Sequence, residues 1–271
     1  FGKPIGSFPP RAVLRDYIEG RARRSGVRSS IRFGTVVRYV TYDAESRLFR
    51  VEVEDLGTGV TSVVEHDRLV VCSGHFSTPH VPSFPGMQHF PGRILHAHDF
   101  RDAREYRGKD VLIVGNSYSG EDIASQLYKY GARSVTISYR SECLGYAWPE
   151  GVEEMPLLVR LDGEVAEFLG GSRRRVDAVV LCTGYLHKFS FLPSHLSFRS
   201  RNRLAIPELY RGVVYASNPD LFFVGMQDQW YTFNMFDAQA WYVRDVILGR
   251  LAVPASEQER RGGGPPRGGE G

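Results

Sequence analysis

Between a short apolar run and a helical pattern stand six small or polar residues, Gly115-Asn116-Ser117-Tyr118-Ser119-Gly120. Such a turn is suited to phosphate chemistry. Its backbone N–H groups can approach a pyrophosphate, and a helix opening at the turn contributes partial positive charge. Ser117 stands where a Gly-x-Gly-x-x-Gly turn carries its second glycine, so the weight falls on the surrounding pattern rather than on the motif alone. After the next strand comes Tyr139-Arg140, where an NAD-specific site places an Asp or Glu against the ribose 2′-hydroxyl. A guanidinium at that point suits a 2′-phosphate, so the expected nucleotide is NADPH rather than NADH. Two plainer readings stand beside this one: a βαβ unit with a tight turn, and Arg140 as a solvated charge near Glu142.

The elements that must position these residues are legible around them. Val111 to Val114 reads as a parallel strand buried on both faces. Ile123, Ala124, Leu127 and Tyr128 share one face of the helix that follows, Gly131 ends it, and Ser134 to Tyr139 supplies a second strand. The run Asp177-Ala-Val-Val-Leu-Cys-Thr-Gly184 repeats an earlier one, Asp67-Arg-Leu-Val-Val-Cys-Ser-Gly74. This echo predicts two dinucleotide-binding units, each with a late parallel strand ending beside its ligand crevice; a chance match of two apolar strands is the alternative. The first unit has no Gly-rich strand–helix turn upstream of Gly74 and is expected to be incomplete.

Elsewhere, Ser7 can cap a helix starting at Pro9-Pro10, with Val13, Leu14, Tyr17 and Ile18 as its buried stripe. Thr35 to Thr41, Leu48 to Glu54 and Val60 to Val64 alternate apolar and polar residues and predict a three-stranded meander. Leu158 to Leu169 fits a hairpin, and Asp220 to Gly225 a last short strand. An amphipathic helix is expected over Phe236 to Leu251, with Ala240, Trp241, Val243, Val246, Ile247 and Leu251 inward. The tail from Ser256 has the composition of a disordered segment.

Over 271 residues, 42% hydrophobic and 24% charged residues fit a soluble globular protein. A net charge of +3 gives no argument for nucleic acid. No apolar run is long enough to span a bilayer, so no membrane partner is expected. The three cysteines, Cys72, Cys143 and Cys182, form no redox pair or metal cluster, which fits a reducing cytoplasm. Nothing in the sequence selects an oligomeric state, a homodimer included.

Phe90-x-Gly92-x-x-x-His96-x-x-x-Phe100 is similar to the identifying motif of the flavin-containing monooxygenases. The ending Phe100-Arg101, in place of Trp-Pro, resembles the N- and S-oxygenating branch rather than the Baeyer–Villiger one. Together with the Gly-x-Ser-x-Ser-Gly turn, Cys182-Thr-Gly-Tyr185 and Gly225-Met-Gln-Asp-Gln-Trp230, the resemblance extends to about residue 251. The run from Gln227 to Trp241 looks like bacterial trimethylamine monooxygenases in particular.

The resemblance implies an α/β fold of two Rossmann-like, three-layer domains, with an NADPH domain inserted in an incomplete FAD domain. The implied boundaries are residues 1–81 and 192–255 for the FAD part, 82–191 for the NADPH domain and 256–271 for a tail. The implied chemistry is reduction of FAD by NADPH, reaction with dioxygen to a C4a-hydroperoxyflavin, and oxygen transfer to a soft nucleophile. Such a nucleophile is a tertiary amine such as trimethylamine, or a thioether; S- or indole-oxygenation is an alternative within the family. Gly115, Asn116, Ser117, Tyr118, Ser119 and Gly120 would hold pyrophosphate and ribose, and Arg140 the 2′-phosphate. Tyr118 would also lie near the nicotinamide. Gln229 and Thr232 would line the isoalloxazine, with Asp228 and Trp230 as the wall toward substrate. Trp230 and Tyr231 as core aromatics, and Tyr118 as a packing residue, are the alternatives. His96 would be structural, at an inter-domain joint. The family's N-terminal FAD fingerprint has no counterpart here, as in an N-terminally truncated fragment, and a catalytically inert NADPH-binding remnant is the competing reading. A flavin-dependent disulfide reductase is disfavoured by the absence of a redox cysteine pair.

Overall fold

The structure is a computed structural model, and it describes residues 9–198, 205–228 and 232–262. It divides into two compact units, residues 1–69 with 190–195, and residues 70–189 with 196–271.

The first unit contains helix α1 (Arg11–Arg24) and strands β1 (Thr35–Asp43), β2 (Leu48–Asp55) and β3 (Thr61–His66). The strands form the expected antiparallel meander, with Val40 opposite Val51 and Tyr42 opposite Phe49. Val40, Phe49 and Val51 are buried, and the Val40 N–H donates to the Phe191 carbonyl at 2.9 Å, which ties the returning segment to the sheet. Helix α1 departs from expectation. Its cap is Pro10, with no side-chain hydrogen bond, and Ser7 lies outside the described residues. None of its residues is buried, so the stripe of Val13, Leu14, Tyr17 and Ile18 is not a core face here. Three arginines in its last turn complement the helix dipole.

The second unit begins with β4 (Leu69–Val71), β5 (Thr78–Pro79) and β6 (Arg93–His96), followed by β7 (Asp110–Val114), α2 (Tyr118–Lys129), β8 (Ser134–Ser138) and β9 (Val152–Met155). Strands β10 (Leu158–Asp162), β11 (Val165–Phe168) and β12 (Arg173–Arg175) come next, then β13 (Ala178–Leu181) and β14 (Tyr185–Leu186). The chain closes with β15 (Leu209–Tyr210), β16 (Val214–Tyr215), β17 (Leu221–Phe223), α3 (Thr232–Ile247) and α4 (Glu257–Gly262).

Five parallel strands in the order β6-β13-β7-β8-β9 make the central sheet. Because side chains alternate along a strand, its two faces collect different partners. Val111, Ile113, Val135, Ile137 and Val180 pack against Ile123, Ala124 and Leu127 of α2. On the other face, Leu112, Val114, Val179 and Leu181 meet Leu158, Leu161 and Phe168 of the antiparallel sheet β10-β11-β12. The result is three layers, with helix, parallel sheet and small antiparallel sheet stacked in turn. The strand starts are clamped by charge: Arg133 Nη2 donates to Asp177 Oδ2 at 2.9 Å and also pairs with Asp110. Guanidinium contact holds the Asp110 carboxyl below the usual carboxylate range.

A second sheet runs β15-β16-β17-β4, with Val214 and Phe222 packed against Val243 of α3. Helix α3 starts before Phe236, and its inward face differs from the expected one. Gln239 and Val243 are its buried residues, whereas Trp241 is 58% and Ile247 40% exposed; Leu251, past its end, is also exposed. Part of the segment expected to be disordered is helical: in α4 the buried Arg260 donates to the carbonyls of Ala216, Pro254 and Ala255 at 2.6 Å each. Those three bonds satisfy a charge that composition alone assigns to solvent.

Candidate functional site

The polypeptide leaves β7 at Val114 and enters α2 at Tyr118, and the turn between them is set by two close approaches. Gly115 has φ +106°, and a Cβ on it would lie 2.4 Å from the Cys182 carbonyl oxygen. A Cβ on Gly120 would lie 2.1 Å from the Gly115 carbonyl oxygen. Only glycine allows both contacts, so the glycine at each end of the turn has a packing reason. The carbonyl of Ser117 accepts from the N–H groups of Gly120 and Glu121 at 2.7 and 3.1 Å. Intrahelical bonding therefore begins at Gly120, and the N–H groups of Ser117 and Ser119 precede it at the positive end of α2. Asn116 has a different task, since its Nδ2 donates to the Glu142 carbonyl at 2.7 Å and ties the turn to the loop after β8.

This turn forms one wall of a cavity of about 600 Å³. Gly115, Asn116, Ser117, Tyr118 and Ser119 all line it, as do Arg140, Asp228 and Thr232. Gly120 does not reach it, being buried beneath the turn. Arg140 is exposed just after β8 and has no ion-pair partner among the described residues. By contrast, Arg133, Arg160, Arg173, Arg174 and Arg175 of the same unit are all paired with carboxylates. Tyr118 is 62% exposed on the cavity wall, which sets it apart from a core tyrosine. Gln229 and Trp230 lie outside the described residues.

The cavity is also lined by His75 and Phe76, which the sequence analysis did not single out. His75 is buried, with Nδ1 2.9 Å from the Gly225 carbonyl and Nε2 3.0 Å from Asp228 Oδ1. Phe76 and Tyr185 meet edge to face, with ring centroids 5.2 Å apart. A signal for them was available: His75 and Tyr185 each directly follow the glycine of one copy of the repeated phrase, and both line this cavity. The segment Gly225–Asp228 is pinned from its other side by a relay of amides. Gln239 Oε1 accepts from the Gly225 N–H, and Gln239 Nε2 donates to Gln227 Oε1, both at 2.8 Å.

His96, in the motif beginning at Phe90, is held between two backbone groups. Its Nδ1 accepts from the His98 N–H at 3.0 Å, so Nε2 carries the proton donated to the Gly184 carbonyl at 2.9 Å. Burial holds this imidazole below its usual range, because charging it would require desolvated charge and forfeit the Nδ1 bond. No group of three or more His, Cys, Asp or Glu residues suited to a metal ion occurs among the described residues. Their helices include none long and apolar enough to cross a membrane.

A family model described as "Flavin-binding monooxygenase-like" matches residues 5–152, more than half of the chain. The chain belongs to that family. It is 58% identical over 254 residues to a trimethylamine monooxygenase of Roseovarius nubinhibens, with 94% of this chain and 57% of that protein covered. Among solved structures, Tmm from Pelagibacter sp. superposes with a TM-score of 0.91 at 49% identity, covering 97% of this chain and 59% of that one. S-allyl-L-cysteine S-oxygenase from Allium sativum gives a TM-score of 0.83 at 26% identity, covering 95% and 60%. The chain thus spans less than two thirds of the length of these relatives. The likeness agrees with the expected fold class, a two-domain flavoprotein of Rossmann type built from parallel and antiparallel sheets.

Proposed function

We propose that this chain is the nucleotide-binding and substrate-facing part of an NADPH- and dioxygen-dependent flavin monooxygenase. Its substrate on this reading is a soft nucleophile, first of all a tertiary amine such as trimethylamine. One observation carries the reading: a single cavity is lined by the glycine-framed turn, by an arginine without a carboxylate partner among the described residues, and by Asp228 and Thr232. A turn in which a Cβ would strike backbone at both ends is a cradle for a pyrophosphate, which fits a nicotinamide nucleotide. Ser117 and Ser119 bind the phosphates, Arg140 forks onto the 2′-phosphate, and Tyr118 covers the nicotinamide end. Asp228 walls the substrate side, with Thr232 against the isoalloxazine. FAD, when bound, supplies the oxygen-activating chemistry, and the residues here bind, orient and exclude water. In this scheme residues 82–191 are the NADPH domain, and residues 1–81 and 192–255 belong to the FAD domain. A thioether is the second substrate class, supported by the likeness to the Allium S-oxygenase.

Titration of the chain with NADPH and NADH tests the nucleotide assignment. Arg140→Ala is expected to weaken NADPH by about tenfold or more while leaving NADH nearly unchanged, and equal losses would refute the 2′-phosphate role. With the N-terminal part of the Roseovarius relative fused ahead of it, the chain is expected to couple trimethylamine to NADPH oxidation and N-oxide formation. Peroxide release without oxygenated product, across amines and thioethers alike, would defeat the oxygenase reading.

A further inference from the structure

Buried imidazoles must satisfy both ring nitrogens, and His75 does so with two acceptors. The Gly225 carbonyl accepts but cannot donate, so Nδ1 carries a proton. Nε2 then faces Asp228 Oδ1 at 3.0 Å, and two lone pairs would repel there unless a proton lay between them. One shared proton is thus built into the contact. The ring is only 7% exposed, while the Asp228 side chain, at 31%, reaches the cavity. Phe76 covers His75 at a centroid distance of 4.0 Å, and the His187 ring lies at 5.5 Å, with its own Nε2 3.2 Å from the Met226 carbonyl. Beyond the pair itself, the titratable or charged groups among the described residues include His187 on the ring side and His80, Tyr118, Arg140 and Tyr185, which line the cavity that Asp228 faces.

From this arrangement we infer that His75 is a positioning residue for Asp228. Through the shared proton it fixes one carboxylate oxygen inward, so that the carboxylate meets the cavity in a single orientation. It also makes the pair neutral as a whole. That favours an uncharged substrate nitrogen or sulfur, with its lone pair available, over a cation that a bare carboxylate at the cavity would attract. The inference rests on the monooxygenase reading for its consequence in catalysis, but the dyad itself can be tested without nucleotide or substrate.

Long-range 15N NMR of the imidazoles in the chain is the first test. Both His75 nitrogens are expected in the N–H range, and Asp228→Asn is expected to move Nε2 alone into the lone-pair range, because an amide can donate to it. An Nε2 that is bare in the parent chain, or that ignores Asp228→Asn, would overturn the dyad. The second test is a double-mutant cycle of His75→Gln and Asp228→Asn in the fused enzyme, read as kcat/KM for the amine. The loss caused by Asp228→Asn is expected to shrink severalfold when His75 is already replaced, whereas equal losses in both backgrounds would remove the positioning role. Should His75→Gln fail to fold, the NMR comparison still decides, since it leaves His75 in place. Failure of the NADPH titration with an intact NMR signature would strike the proposed function and spare the dyad.

Discussion

Asp67–Gly74 and Asp177–Gly184 spell nearly the same phrase, yet the two copies meet different neighbours. The second lies in the middle of the parallel sheet, flanked by β6 and β7, and all four residues of β13 are at most 1% exposed. The first contributes β4 at the end of the four-stranded sheet, where Val70 is 38% exposed and Cys72 is exposed while Cys182 is buried. An apolar run with strand propensity specifies a strand, but how much of it is buried depends on which elements lie alongside. The copies converge at their ends: the residues after each glycine, His75 and Tyr185, line the same cavity.

The strongest way to break this comparison is at the glycines. Gly115→Ala would force a Cβ against the Cys182 carbonyl at positive φ, and is expected to cost about 3 kcal/mol or more. Gly74→Ala meets nothing within 4 Å and should cost only about 1 kcal/mol, the strain of φ +77° alone. Urea unfolding of both variants checks the contrast, and equal costs would mean that the contact with β13 is not what demands Gly115.

Truncation of the strands sharpens it further. Val180→Ala is expected to lose about 2 kcal/mol, whereas Val70→Ala, already partly in solvent, should lose about 0.5 kcal/mol. The thiols provide a reading that needs no mutation. Burial pushes the Cys182 thiol up to about 12, so Cys72 and Cys143 should label with a maleimide in the native chain and Cys182 only on unfolding. Labelling of all three at similar rates would contradict the central placement of β13.

The smallest effect concerns His96, which binds the end of the second copy through Gly184. Its folded-state value is depressed below 6.5, so the folded protein takes up this proton less readily than the unfolded chain. The stabilisation is complete above pH 6.5 and is lost as pH falls from there through the folded-state value. His96→Gln should flatten that part of the stability–pH curve; an unchanged slope would assign it to other groups.

Much of the turn that lines the cavity was readable in advance because its determinants are local. Val111–Val114, the turn and the apolar face of α2 follow one another within a single βαβ unit, and the structure keeps them in that order. β9 went unrecognised because its short sequence, Val-Glu-Glu-Met, has no apolar run; partnership with β8 and the pairing of Glu153 with Arg174 make it a strand. Helix α1 failed the other way, since a periodic apolar stripe marks a face able to pack without supplying a partner.

By itself the sequence determined the strand–turn–helix cradle, the position of Arg140 after the second strand, and the family motif around His96. These depend on residues near one another along the chain, where spacing and φ preference suffice. Only the tertiary structure decided that His75 meets Asp228, that Gln239 braces Gly225 and Gln227 beside them, and that one copy of the repeated phrase is central and the other at an edge. The His75 and Asp228 contacts join residues 153 positions apart, and hydrogen-bond geometry at that range is set by packing, not by local pattern.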